Sequence, residues 1–137
     1  MDYWLVKSEP AAWSWRQQVE AGTTHWDGVR NRQAVNNLKS MRAGDRAFFY
    51  HSGEAREIVG VVEVVREYYP DPSDPSGRFG MVDVRAARAF DKPVALAVIK
   101  VDPRLRHLAL VRQSRLSVMP IDDEAWGMLC HMGGVEP

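Results

Sequence analysis

The run Glu57–Tyr69, EIVGVVEVVREYY, constrains the fold more than any other stretch of the chain. Six β-branched residues and two tyrosines in thirteen positions favour a strand, because branched side chains lose rotamer freedom in a helix and pack well on a pleated surface. Gly60 lies early in the run and predicts a bend. The preceding RAFFYHS (Arg46–Ser52) is joined to it by a loop containing Gly53, so the pair reads as a hairpin of a half-buried sheet. YWLVK (Tyr3–Lys7), MVDVRAARAF (Met81–Phe90) and the RLSVMPI portion ending at Pro120 read as further strands. Crossover helices do not separate these strands regularly, which argues against a doubly wound sheet. A small, strongly bent antiparallel sheet or barrel with helices on its rim is the expected architecture.

The helices are short and carry start and stop signals. Ser14 caps one that runs to about Ala21, with Gly22 as its stop. Thr24–Asn31 reads as a loop with an Asp27-Gly28 turn, followed by a polar helix over Asn31–Met41. Ala34, Val35, Leu38 and Met41 form the buried stripe of that helix. PDPSDPSG (Pro70–Gly77) is the clearest loop, with three prolines in eight residues. Val94–Leu110 is ambiguous between strand and helical turns, and Asp102-Pro103 interrupts it. Asp122 caps a last helix from Asp123 to about His131, closed by Gly133-Gly134. A chain of 137 residues is the size of one domain.

Composition excludes several functions. Eighteen basic and eighteen acidic residues cancel, so a protein that grips long nucleic acid by many phosphates is not expected; binding must come from a local patch or pocket. The basic set holds 14 Arg against 4 Lys, which suits planar recognition of phosphate or base edges, although a GC-rich genome is the plainer explanation. No apolar run reaches the ~20 residues that cross a bilayer, and MDYWLVKSEP lacks the pattern of a signal peptide. With a single cysteine, Cys130, the chain is expected in the cytoplasm, or the nucleus of a nucleated cell. There is no Gly-rich phosphate loop, and His25, His51, His107 and His131 are far apart in sequence. Cys130 beside His131 does not make a nucleophile and base, since adjacent helical residues point about 100° apart. The expectation is binding without catalysis, metal or cofactor.

Five segments in order, YWLVKSEP, WDGVRNRQAVNNLKSMRAGDRAFFYHS, IVGVVEVV, YYPDPSD and LVRQSRLSVMPI, resemble the EVE domain family over nearly the whole chain. The resemblance implies an α+β, PUA-like fold: a bent antiparallel β-barrel with flanking short helices. It further implies a monomeric, non-enzymatic domain that recognises a modified base in DNA or RNA, such as 5-methylcytosine or an oxidised form. Such a base must be flipped out of a duplex at a cost of a few kcal/mol, offset by stacking and by hydrogen bonds to its Watson–Crick edge. A pocket of this kind needs an aromatic wall and short polar groups but no large net charge. Two other readings stay open: a small-molecule or protein-interaction module, and an enzyme acting on a nucleotide or RNA.

Nine residues are the candidate ligand contacts: Ser8, Trp26, Arg30, Asn31, His51, Ser52, Arg112, Gln113 and Ser114. Ser8 lies in the family's KSEP motif, with Lys7 and Glu9 ranked behind it. Trp26 stands in a polar loop, an awkward place for a purely structural tryptophan, and is the expected pocket wall; Asp27 is expected to fix the turn. Asn31 presents donor and acceptor together, as base-edge reading requires, or simply caps the helix. His51 and Ser52 end a strand at a loop. Arg112, Gln113 and Ser114 form an irregular turn, with Arg112 as a phosphate contact. Trp4, Trp13, Trp15 and Trp126 are assigned to the core or rim.

Overall fold

A computed structural model describes residues 1–137. In chain order the elements are β1 (Tyr3–Ser8), α1 (Trp15–Ala21), β2 (Thr23–Trp26), α2 (Arg32–Ser40), β3 (Arg46–His51), β4 (Glu57–Pro70), β5 (Gly80–Ala95), α3 (Leu96–Ile99), α4 (Ala109–Arg112), β6 (Val118–Ile121) and α5 (Asp123–Gly133). The six strands form one sheet in the order β2-β5-β4-β3-β1-β6.

This is the expected α+β, PUA-like plan, with two refinements. The sheet is mixed, because β1 runs parallel to β3 while all other pairs are antiparallel. Parallel neighbours require a crossover of a dozen or more residues, and Glu9–Asp45, which carries α1, β2 and α2, supplies it. The ladder also stays open: β2 and β6 are its edges and do not pair with each other. Pro120 is tolerated because β6 is an edge strand.

The hairpin β3–β4 forms as expected, with its bend at Gly60, where the register of β4 shifts. The alternation within FFY did not reveal that β3 is buried on both faces. Phe48 stacks on Trp126 of α5 (3.9 Å between centroids), which stacks in turn on Tyr3 (4.3 Å), while Phe49 meets Trp15 and Trp26 edge-on across the sheet. A central strand with cover on both sides reads as a continuous apolar run. Trp126 is fully buried and its indole N–H has no partner.

Several local expectations shift. Thr23–Trp26 is an edge strand rather than loop, and β5 runs on to Ala95. The ambiguous segment resolves into the single turns α3 and α4, and the last strand begins only at Val118. Caps behave as read: Asn31 accepts from Ala34 N–H (3.0 Å), Asp122 from Ala125 N–H (2.9 Å), and Gly134 closes α5 in the left-handed region. No helix is long and apolar enough to cross a membrane.

Candidate functional site

Several candidate groups gather where β1 ends. Pro10 prevents β1 from continuing, and the N–H groups of Ala12 and Trp13 fold back onto the Glu9 carbonyl (2.9 Å each). Ser8 Oγ donates to the Trp13 carbonyl at 2.5 Å. Ser14 and Gln17 form a reciprocal capping box at the start of α1, which places Trp13 just before the cap and Gln18 one turn in. The indole N–H of Trp13 donates to Gln18 Oε1 (2.9 Å), and the fully buried Gln18 amide donates onward to the Gly22 carbonyl (3.0 Å). Both amide groups of Gln18 are satisfied, so Trp13 is held rather than loosely packed.

Between this turn and β2 lies a cleft of about 420 Å³, lined by Lys7, Ser8, Glu9, Trp13, His25, Trp26 and their neighbours Ala12, Thr24 and Asp27. Trp26 retains only 8% exposure, with its inner edge on Phe49 at 5.5 Å. It is therefore both a core residue and a cleft wall. Lys7 Nζ donates to the Ser114 carbonyl (3.0 Å) and lies 5.6 Å from the Tyr50 ring centroid; burial lowers its pKa from the ordinary lysine value. It links the cleft to a neighbouring shelf of about 310 Å³ that gathers Asn31 and Gln33 with Arg112, Gln113, Ser114 and Arg115. Arg112 Nε is itself engaged by the Arg106 carbonyl (3.2 Å).

Arg30 is anchored on the loop after β4. Its guanidinium reaches Asp71 (3.3 Å) and Ser73 Oγ (3.1 Å) and lies over the Phe79 ring at 5.0 Å. Asp71 also accepts from Gly28 N–H (2.9 Å) and from the Ser73 N–H (2.7 Å) and hydroxyl (2.6 Å). Burial by itself raises the Asp71 pKa, but the hydrogen bonds from Ser73, Gly28 and Arg30 outweigh it and hold the carboxyl well below the usual range. The proline-rich loop is thus a clamp. Its two Asp-Pro-Ser triplets are built alike, since Asp74 accepts from the N–H (2.9 Å) and hydroxyl (2.6 Å) of Ser76.

The nine candidates are therefore distributed. Ser8 and Trp26 share the cleft; Asn31, Arg112, Gln113 and Ser114 share the shelf beside it; Arg30 stands on the adjoining groove beneath α2. Ser52 lines a separate open groove with Pro10 and Gly53. His51 lies under α1, where Nε2 accepts the Trp15 N–H (3.0 Å); this fixes its tautomer and orients the helix that carries the Trp13 contact. Trp13, Thr24 and His25 line the cleft without having been singled out for it. The capping box marks where α1 starts and so places Trp13 in sequence just before it, which is the local signal for that residue. The orientation of β2 had no comparable signal.

Cys130 is fully buried, and burial pushes its thiol up to about 11, against a weaker opposing pull from Arg46. No three His, Cys, Asp or Glu side chains gather in a metal-holding group.

Fold and site together define a PUA-like α+β domain with a tryptophan-walled cleft flanked by basic shelves. The family model for the EVE domain matches residues 2–132, and the chain belongs to that family. It is 33% identical to rat thymocyte nuclear protein 1, over 99% of this chain and 75% of the relative. Among solved structures it is similar to a Rhodopseudomonas palustris protein determined by NMR (53% identity, TM-score 0.93, covering 98% of this chain and 94% of that one). It is also similar to the human THYN1 protein solved in complex with DNA containing 5-methylcytosine (32% identity, TM-score 0.92, all of both chains). A Zygosaccharomyces rouxii YTH domain, solved with N6-methyladenosine RNA, shares the fold at 17% identity and a TM-score of 0.58, over 96% of this chain and 86% of that one.

Proposed function

We propose that this protein is a non-enzymatic reader of a modified base, which it takes into the cleft between Trp13 and Trp26. That cleft is the observation that carries the reading. Two indoles supply stacking surface, worth about 1–3 kcal/mol per base. Glu9 and Asp27 offer acceptors suited to the exocyclic amino group of a cytosine-type ring, while Lys7, with N–H groups beyond the one given to Ser114, offers donors to its ring acceptors. Asn31, Arg112, Gln113 and Ser114 then meet the flanking nucleotides from the shelf that Lys7 joins to the cleft. The human relative bound to 5-methylcytosine DNA supports this class of ligand.

Base eversion is directly observable. A duplex carrying 2-aminopurine next to a single 5-methylcytosine should brighten on addition of protein, as the neighbouring base leaves the stack. The plain-cytosine duplex should brighten much less. Equal responses from the two duplexes would contradict selective reading, and no binding to any DNA or RNA would favour a small-molecule ligand.

A further inference from the structure

The chain is electrically neutral overall, yet one groove departs from that balance. It lies between one face of α2 and the end of the 70–79 loop, and holds about 260 Å³. Arg32, Val35, Asn36 and Lys39 line it at the 3–4–7 spacing of a single helix face, and Arg78 and Phe79 face them from the loop. Arg30 closes one end, its charge already compensated by Asp71. Arg32, Lys39 and Arg78 are exposed, and none of the chain's ion pairs includes them. Lys39 has only the face of Tyr68 nearby, 5.6 Å from its ammonium. No carboxylate lines the groove.

We infer that this groove is a phosphodiester-backbone site, holding the strand that flanks the nucleotide taken into the cleft. The inference rests on the base-reader proposal and deepens it. Three cations in a groove without a carboxylate have no anionic partner, and a polyanion is the ligand that neutralises such a set. Their spacing fits a backbone rather than a lone anion. Arg32 and Lys39 stand two helical turns apart, about 10 Å, a span wider than one phosphate group. Continuity with the cleft is covalent as well as electrostatic: Trp26 and Asp27 lead through Gly28 directly to Arg30, and Asp71 binds both Gly28 N–H and the Arg30 guanidinium. A strand leaving the cleft along this loop therefore enters the groove at Arg30.

The test compares Arg32→Gln/Lys39→Gln/Arg78→Gln with a control of equal net charge, Arg16→Gln/Lys92→Gln/Lys100→Gln. Binding of modified and plain oligonucleotides, as DNA and as RNA, is measured between 50 and 200 mM NaCl, with melting temperatures confirming that both variants fold. Each lost phosphate contact removes about 0.7–0.9 from the slope of log affinity against log salt. The groove variant should lose about 2 to 3 from that slope and bind modified and plain strands more weakly by the same factor. The control should lose much less. An unchanged slope in the groove variant, or an equal loss in the control, overturns the groove. Failure of the wild type to distinguish modified from plain strands overturns the reader itself, a separate outcome visible before any variant is made.

Discussion

Arg30 and Asp71 form an ion pair at 3.3 Å whose members stand in different media: the Asp71 side chain is 0% exposed and that of Arg30 is 39% exposed. The buried member organises two loops at once, through Gly28, Arg30 and Ser73. Asp71→Asn removes the charge and leaves at least one donor poorly met. It should cost roughly 2 kcal/mol, because buried groups stripped of their partner pay desolvation in full. For a domain of this size that is a fall in Tm of roughly 5–10 °C, read by thermal denaturation. The pH dependence follows from the direction of the shift. A carboxyl whose folded pKa lies below its unfolded value stabilises fully above about pH 4 and loses that contribution as acid drives toward the folded value. Asp71→Asn should therefore show a shallower acid limb than the wild type.

His51 titrates in a second window. Burial lowers its pKa from the ordinary value, against the opposing charge of Glu57, and its neutral Nε2 is the acceptor for Trp15 N–H. The neutral form is favoured by folding, so its contribution is complete above about pH 6.5 and is lost as pH falls through the lower folded value. Protonation removes the acceptor that orients α1. Base affinity should drop as pH falls below the ordinary histidine value of about 6.5 and through the lower folded value, and His51→Gln, which keeps an acceptor, should flatten that drop. A pH series of binding curves on both proteins checks this; identical profiles would remove His51 from the positioning of α1.

Gly60 is required by Trp15 rather than by backbone conformation. A Cβ at position 60 would lie 2.5–2.7 Å from three atoms of the Trp15 ring. Gly60→Ala should destabilise by about 1–3 kcal/mol, as overpacking does, and should weaken base binding through displacement of α1. In Gly60→Ala/Trp15→Leu the two losses should sum to more than the double variant shows, because the smaller side chain removes the collision. Additive losses in chemical denaturation would contradict this contact.

Cys130 should be inert in the folded protein. With burial holding the thiol up to about 11, almost no thiolate exists at neutral pH. A thiol reagent at pH 8 should label it only at the rate of unfolding, and fully in denaturant.

Much of the fold was legible because its signals were local. Caps at Ser14, Asn31 and Asp122 and the loop at Pro70–Gly77 each act through neighbours within a few residues. What sequence reading missed depends on distant partners. Thr23–Trp26 is a strand only because β5 pairs with it, and Phe49 and Tyr50 are both buried because helices cover both faces of β3. Ser8 and Trp26, both candidates from the sequence, line one cleft. Trp13 sits on the rim of the core as assigned, and it also lines that cleft. Asp71, the residue that ties the cleft loop to the basic groove, drew no attention because a buried aspartate in a proline-rich loop looks like an ordinary turn former until its partners, some forty residues away, are known.

The most direct measurement is a fluorescence titration of the intrinsic tryptophans with two oligonucleotides that differ by one methyl group on one cytosine. A base stacked between Trp13 and Trp26 should quench emission, and burial of the extra methyl, worth about 0.8 kcal/mol, should tighten binding of the modified strand about fourfold or more. Trp13→Ala should abolish most of the quenching while leaving the fold intact. Equal affinities and equal quenching for the two strands, at low salt and with folded protein, would contradict the reading of this cleft as a modified-base pocket.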